Sequence, residues 1–383
     1  MNEDLMRENR VPHTEAMKYF TRVGLAVLLM FVARKIVVLL TVNILELAAP
    51  VFLDLVRDGT YWWFNWLLSV IPLYCVGLPV YLLVLPKKAV PVGEKKILGV
   101  GRFVSVCFST AAGIYVFNIA GVLLLTFLSL ISGGVVGGIE SDSLNQMINS
   151  SPVWMIFIVT CIVVPIGEEI IFIKLLIDRV KPFGELNACL FSGLVFGLFH
   201  ANLRQFLYAF AIGFIFATVY VKTNNIIYSI LLHFGVNLFG TVISPQLLNP
   251  ERINQLKEVI ANTTEFTPEI ALAMLYLLFV AALGFVILGA VIAGIVLFIF
   301  YMKKLKFDPP VLISERDNSE FWKNPGVIAS IVVLSCVIVR ELINLPKWNT
   351  GIISRIGLRG SYRSAYFLRY AVLFLLRGWS TIR

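Results

Sequence analysis

Long apolar runs, separated by short polar stretches, dominate the chain: 21–48, 61–85, 103–132, 152–177, 187–202, 206–222, 225–245, 268–302 and 325–345. A helix rises about 1.5 Å per residue, so crossing a hydrocarbon core of about 30 Å takes ~20 mostly apolar residues. The pattern predicts an all-α, polytopic membrane helix bundle of about eight to nine transmembrane helices. Composition agrees: 58% of the 383 residues are hydrophobic and 14% charged, against about 45–50% and about 25% in soluble domains. No internal repeat, low-complexity tract or sizeable soluble domain interrupts the pattern. The polar stretch 1–20 carries no evident cleavable signal, so the first span is expected to double as the insertion signal.

Loop charge sets the expected orientation. Residues 86–102 hold Lys87, Lys88, Lys95, Lys96 and Arg102, whereas the glycine-rich loop 133–151 has Glu140 and Asp142 and no Lys or Arg. By the positive-inside rule the first loop is cytoplasmic and the second external. The N-terminus, Arg179, Lys181, Lys222 and the "KKLK" of 303–306 then fall inside, as expected for a multi-pass protein of the cell membrane. The net charge of +9 is read as topology and lipid contact, with no nucleic-acid partner. Four segments follow: a cytoplasmic piece 1–20, a helical domain 21–303, a linker with an additional span 304–345, and a basic tail 346–383. If 325–345 crosses fully, the tail lies outside against the rule, unless it is a surface-lying amphipathic segment or one of the last two spans is miscounted. The run 268–302 is read as one tilted helix or a tight hairpin. Arg34 and Lys35, inside the first run, must snorkel or face the bundle. The aromatic cluster "YWWFNW" (61–66) marks an external interface, and Gly284, Gly289 and Gly294 signal close helix packing. Cys75, Cys107, Cys161, Cys189 and Cys336 are read as buried thiols, neither disulfides nor metal ligands.

The chemistry concentrates in three short stretches. "PIGEEIIFIKLL" (165–176) sets Glu168 and Glu169 in an apolar run, where one carboxylate costs on the order of 2.5–3.5 kcal/mol. With cytoplasmic ends near Ile177, Asn187 and Asn225, helix rise puts Glu168 roughly 14 Å deep, His200 roughly 20 Å and His233 roughly 12 Å. Phe196 and His200 in "FGLFH", and His233 and Asn237 in "HFGVN", are four apart and so share helix faces. Adjacent glutamates point about 100° apart, so one looks into a common cavity and the other needs a separate partner. A buried carboxylate can serve as general base toward water, one imidazole can hold that water, and a second imidazole and an amide can donate to an oxyanion. The same Glu168, His200 and His233 could instead hold Zn²⁺ with a fourth position open, as a metalloprotease would, although no HExxH motif is present.

"EEIIF", "FGLFH" and "HFGVN", in that order on a multi-spanning chain, resemble the CPBP (ABI) family of type II CaaX prenyl endopeptidases and their bacterial relatives in bacteriocin processing and immunity. The resemblance spans about 150–245. It implies an intramembrane endopeptidase with Glu168 as base supported by Glu169, His200 as the second-motif histidine, and His233 with Asn237 at the oxyanion. No cofactor is then required, Zn²⁺ being the alternative, and the partner is a membrane-associated, peptide or prenylated substrate. The family's first motif reads Glu-Glu-x-x-x-Arg, and here Ile173 occupies the arginine position. Lys174 is better placed to pair with Asp178. Glu169 is therefore expected to find a donor on another helix, a water, or to stay protonated, and Ile173→Arg is expected to raise activity or stability if there is room. The competing readings are a catalytically silent scaffold or immunity protein that binds a partner membrane protein, and a proton-coupled transporter.

Overall fold

The computed structural model describes residues 11–88, 93–134, 136, 143–262, 266–313 and 319–342. Among them the chain is an all-α membrane bundle, and eight helices are long and apolar enough to cross a bilayer. In chain order the main helices are α1 (His13–Ala48), α2 (Trp62–Val84), α3 (Val100–Ile131), α4 (Val153–Phe183), α5 (Glu185–Phe199), α6 (Leu203–Thr223), α7 (Ile226–Asn262), α8 (Pro268–Lys304) and α9 (Pro325–Leu342). The exception to the spanning set is α5. Its 15 residues reach only about 22 Å, which corrects the span expected at 187–202. The helix stops at His200, Ala201 takes a positive φ of 60°, and the side chain of Asn202 accepts from Gln205 N at 2.8 Å to cap α6. Asn202 with Gln205 three residues on is an N-terminal cap signal. The run 268–302 is one helix of 37 residues, not a hairpin.

One end of the bundle gathers the cations. Tyr19 donates to the Lys87 carbonyl, Arg22 to Val84 and Arg179 to Pro86. Lys181 bonds Val221 O at 2.8 Å, and Lys222 pairs with Glu185. The opposite end carries the aromatic cluster, where Trp62 meets Trp154 edge-on at 6.2 Å and Trp66 donates to Ser151 Oγ at 2.9 Å.

Close helix approach depends on glycine at a few crossings. On α5, a Cβ on Gly193 or Gly197 would stand 2.8 Å from α6 backbone atoms, Phe214 N and Phe206 O respectively. This small-xxx-small pair lets the two helices touch and so fixes where His200 emerges. Gly294 of α8 behaves as expected, meeting Phe108 O of α3, whereas Gly284 and Gly289 face open space. Gly197→Leu is expected to force α5 off α6, costing at least the ~1–3 kcal/mol typical of overpacking. A lowered unfolding temperature in detergent, beside an unchanged value for Gly284→Leu, would show it.

The added helix α9 belongs to the same core. Asn324, 1% exposed, donates to Met17 O at 2.9 Å while its carbonyl accepts from Gly326 N at 3.0 Å. Beneath it Phe20, Phe183, Phe191 and Phe321 pack edge to face with centroids 4.8–5.2 Å apart. Of the cysteines, only Cys161 and Cys189 are buried. Cys75, Cys107 and Cys336 are exposed on the bundle, which corrects the reading of five buried thiols, and all five are free. The tail 346–383 and residues 1–10 lie outside the described residues.

Candidate active site

The site is built on α4, whose turns widen twice to i→i+5 spacing, at Phe157–Val163 and Glu169–Leu175. Such turns mark many functional sites. In the first, Val164 N bonds Val159 O, so the next carbonyl, Thr160 O, would need the N–H of residue 165. That residue is Pro165 and has none. Asn237 of α7 supplies the missing donor, its Nδ2 lying 2.7 Å from Thr160 O. The joint is reinforced by Thr160 Oγ1 and Thr241 Oγ1 at 2.7 Å, with Thr241 donating to Asn237 O at 2.8 Å. One of Asn237's two N–H groups is thus occupied in joining α7 to α4.

Glu168 and Glu169 diverge as adjacent helical residues must. Glu169 is fully buried and its Oε1 lies 2.9 Å from His233 Nδ1. Ser229, also fully buried, is a polar neighbour of the same carboxylate. Glu168 keeps 18% of its side chain exposed, and its Oε2 stands 3.9 Å from His233 Nε2. His233 therefore lies between the two carboxylates, tied to one and facing the other. Its ring is fixed by Phe196 and Phe216, each with its centroid 5.7 Å away.

His200 sits at the broken end of α5. Its Nδ1 lies 2.9 Å from Phe196 O, and a carbonyl only accepts, so Nδ1 carries a proton, and in the neutral ring Nε2 is the nitrogen that offers a lone pair. A single cavity of about 1180 Å³ is lined by Glu168, His200, His233 and Asn237 together. Glu169 does not line it; its contact is with His233, behind the cavity wall.

Two features of the cavity escaped the sequence reading. Arg34 of α1 lines it, with its guanidinium 5.8 Å above the Phe199 ring and within electrostatic reach of Glu168. A cation inside an apolar run signalled a functional face, but its side of the helix depended on packing. Tyr74 of α2 also lines the cavity, its hydroxyl donating to Val164 O at 3.4 Å, and it lies against α4 because residue 167 is glycine: a Cβ there would stand 2.2 Å from the Tyr74 ring. Lys174 does pair with Asp178, at 3.6 Å, in a cluster where Lys88 approaches Asp178 at 2.7 Å and Tyr220 donates to it at 2.6 Å.

A zinc ion needs its donors at about 2.0–2.2 Å from one point. Glu168 Oε2 and His233 Nε2, 3.9 Å apart, lie within the roughly 4 Å that two such donors can span, but among the described residues no three His, Cys, Asp or Glu side chains form a metal-holding group.

Residues 150–239 match the family model described as type II CAAX prenyl endopeptidase, Rce1-like. The UPF0177 protein YxdF of Lactococcus lactis subsp. lactis (strain IL1403) is 32% identical over 134 residues, covering 33% of this chain and 72% of YxdF. The chain belongs to the Rce1-like type II CAAX prenyl endopeptidase family. Two further relatives are YdiL of Bacillus subtilis (strain 168), a candidate membrane peptidase, and the membrane-embedded CAAX protease MroQ of Staphylococcus aureus (strain USA300). YdiL is 32% identical over 130 residues, covering 30% of this chain and 52% of its own length. MroQ is 29% identical over 140 residues, covering 34% and 54%. The chain thus spans about half the length of each of these two. No solved structure matches it significantly. Membership in this Rce1-like family makes the chain a multi-pass protein of a membrane endopeptidase group, and the matched segment carries all five candidate residues, Glu168, Glu169, His200, His233 and Asn237.

Proposed function

We propose that the protein is an intramembrane endopeptidase in which Glu168 activates water against a peptide bond of a membrane-associated substrate. The observation that carries this reading is the convergence of Glu168, His200, His233 and Asn237 on a single cavity. Glu168, the cavity's own carboxylate, takes a proton from water as the oxygen attacks the carbonyl carbon. The Nε2 lone pair of His200 holds the same water through its other proton. His233, fixed by Glu169 as an imidazolium, donates Nε2–H to the oxyanion, and the N–H of Asn237 left over from Thr160 is the second donor. Collapse of the tetrahedral species breaks the C–N bond, and Glu168 returns its proton to the departing amine. The products are a carboxylate and an amine, with no covalent bond to the protein. Glu169 is a positioning residue in this scheme, acting through His233.

We take the cation-rich end of the bundle as the cytoplasmic face of the cell membrane, which puts the N-terminus inside. A catalytically silent protein that binds a partner is the competing reading, favoured by Ile173 at the motif-one arginine position. Glu168→Gln is expected to lower cleavage of membrane-associated peptides, prenylated and unprenylated, by about 10²–10⁴-fold, while chelator treatment of the wild type leaves it unchanged. Equal cleavage by both proteins would overturn the mechanism. Activity lost on chelation and regained with zinc would overturn the assignment of the water to Glu168 alone.

A further inference from the structure

The cavity's charges do not balance. Besides His233, whose charge Glu169 answers, its charged lining consists of Arg34, Lys35, Arg204 and Glu168. Lys35 has Glu341 of α9 within electrostatic reach, which leaves two guanidinium groups facing one carboxylate. Neither guanidinium makes a hydrogen bond or a close ion pair with a described side chain. Arg34 has the Phe199 ring on one side and Glu168 at a distance. Each guanidinium offers five N–H donors in a fork that matches a carboxylate. A cation in a low-dielectric site calls for an anion, and among the described residues none answers the second charge.

A second observation points to the kind of molecule that brings the anion. On α3, Thr110 Oγ1 and Asn118 Oδ1 are both buried without a hydrogen-bond partner, and both residues line this cavity. Buried polar atoms are satisfied in the great majority of cases, so such orphans need explaining. Asn118 Oδ1 accepts only, and so requires a donor. A lipid phosphate brings no donor, whereas a peptide brings backbone N–H groups. The cavity's size, above the roughly 300–1,000 Å³ of small-molecule pockets, also suits a peptide segment.

Building on the endopeptidase reading, we infer that this cavity recognises a carboxylate of its peptide substrate through Arg34 and Arg204, with Asn118 and Thr110 receiving the adjoining peptide backbone. The carboxylate is either the substrate's C-terminus or an acidic side chain near the cleaved bond, and the two sources are separable. Arg34 and Arg204 are then specificity-determining residues, distinct from the groups that activate water.

The test uses the full-length protein in neutral-lipid vesicles and three forms of one fluorescent membrane-associated peptide: free C-terminal acid, C-terminal amide, and the amide with an added aspartate. For the wild type, amidation is expected to raise KM by about tenfold or more, with kcat changed less. Arg34→Gln and, separately, Arg204→Gln should raise KM for the acid and treat acid and amide alike. Recovery in the aspartate peptide assigns the site to an acidic side chain, and its absence assigns it to the C-terminus; either supports a carboxylate site. Equal KM for all three peptides in the wild type would overturn the inference and leave the endopeptidase reading standing, as would an acid preference kept intact in both variants. If the wild type cleaves none of them, the endopeptidase reading falls, and equilibrium binding of the same peptides decides the site. Tighter binding of the acid by the wild type, lost in the Arg34 or Arg204 variant, upholds carboxylate recognition; equal binding overturns it.

Discussion

His233→Ala is expected to cost the fold on the order of 3–5 kcal/mol and to abolish hydrolysis. Removing one member of a buried pair leaves the other uncompensated, and the cost is set by that orphan more than by the lost contact. Glu169 is the orphan here: it is fully buried, its Oε1 is bonded to His233 Nδ1 at 2.9 Å, and its Oε2 has no hydrogen-bond partner. Replacing both residues with apolar ones removes the orphan, so His233→Leu with Glu169→Leu should regain most of the stability of the wild type while remaining inactive. Thermal unfolding of the two single variants and the double variant in detergent checks this. Two costs that simply add would mean that the pair is not the coupled unit described.

Ile173→Arg is expected to destabilise the protein by several kcal/mol without raising activity, the reverse of what the motif comparison alone suggests. The i+4 argument assumes ordinary helical spacing, but Glu169–Leu175 is a widened turn. Glu169 already has its partner from α7, and Ile173 is 1% exposed among apolar neighbours. A guanidinium there would be unpaired in a packed site. Ile173→Val, which keeps the apolar packing, should lose only about 0.5–1.5 kcal/mol. Cleavage rates and unfolding temperatures of both variants separate these outcomes; a gain of activity in Ile173→Arg would mean that Glu169 is short of a partner after all.

Much of this arrangement was legible from residue types and spacing. Apolar runs gave the helices, because lipid forces backbone groups to be satisfied within the segment. Equal depth along three helices brought Glu168, His200 and His233 to one level, because rise per residue is fixed. The need of Glu169 for a donor from elsewhere followed from its adjacency to Glu168. What stayed hidden was set by irregularity or by packing between helices. The polar stretch 202–205 marked the break after His200, but not that the 15-residue helix before it stops short of a full span. The structural duty of Asn237 follows from Pro165 standing five residues after Thr160, which matters only once the turn is known to be wide. Arg34 could not be aimed from sequence, since which face of α1 meets the cavity is set by how the helices pack.

The central claim is that water, activated by Glu168, attacks the peptide bond directly. A single turnover of the wild type in water labelled with heavy oxygen, followed by mass spectrometry of both product and protein, tests this most directly. The account predicts the label in the new C-terminal carboxylate of the released product and none in Glu168. Label found in the Glu168 side chain would show that its carboxylate attacks the substrate itself, and would contradict the mechanism.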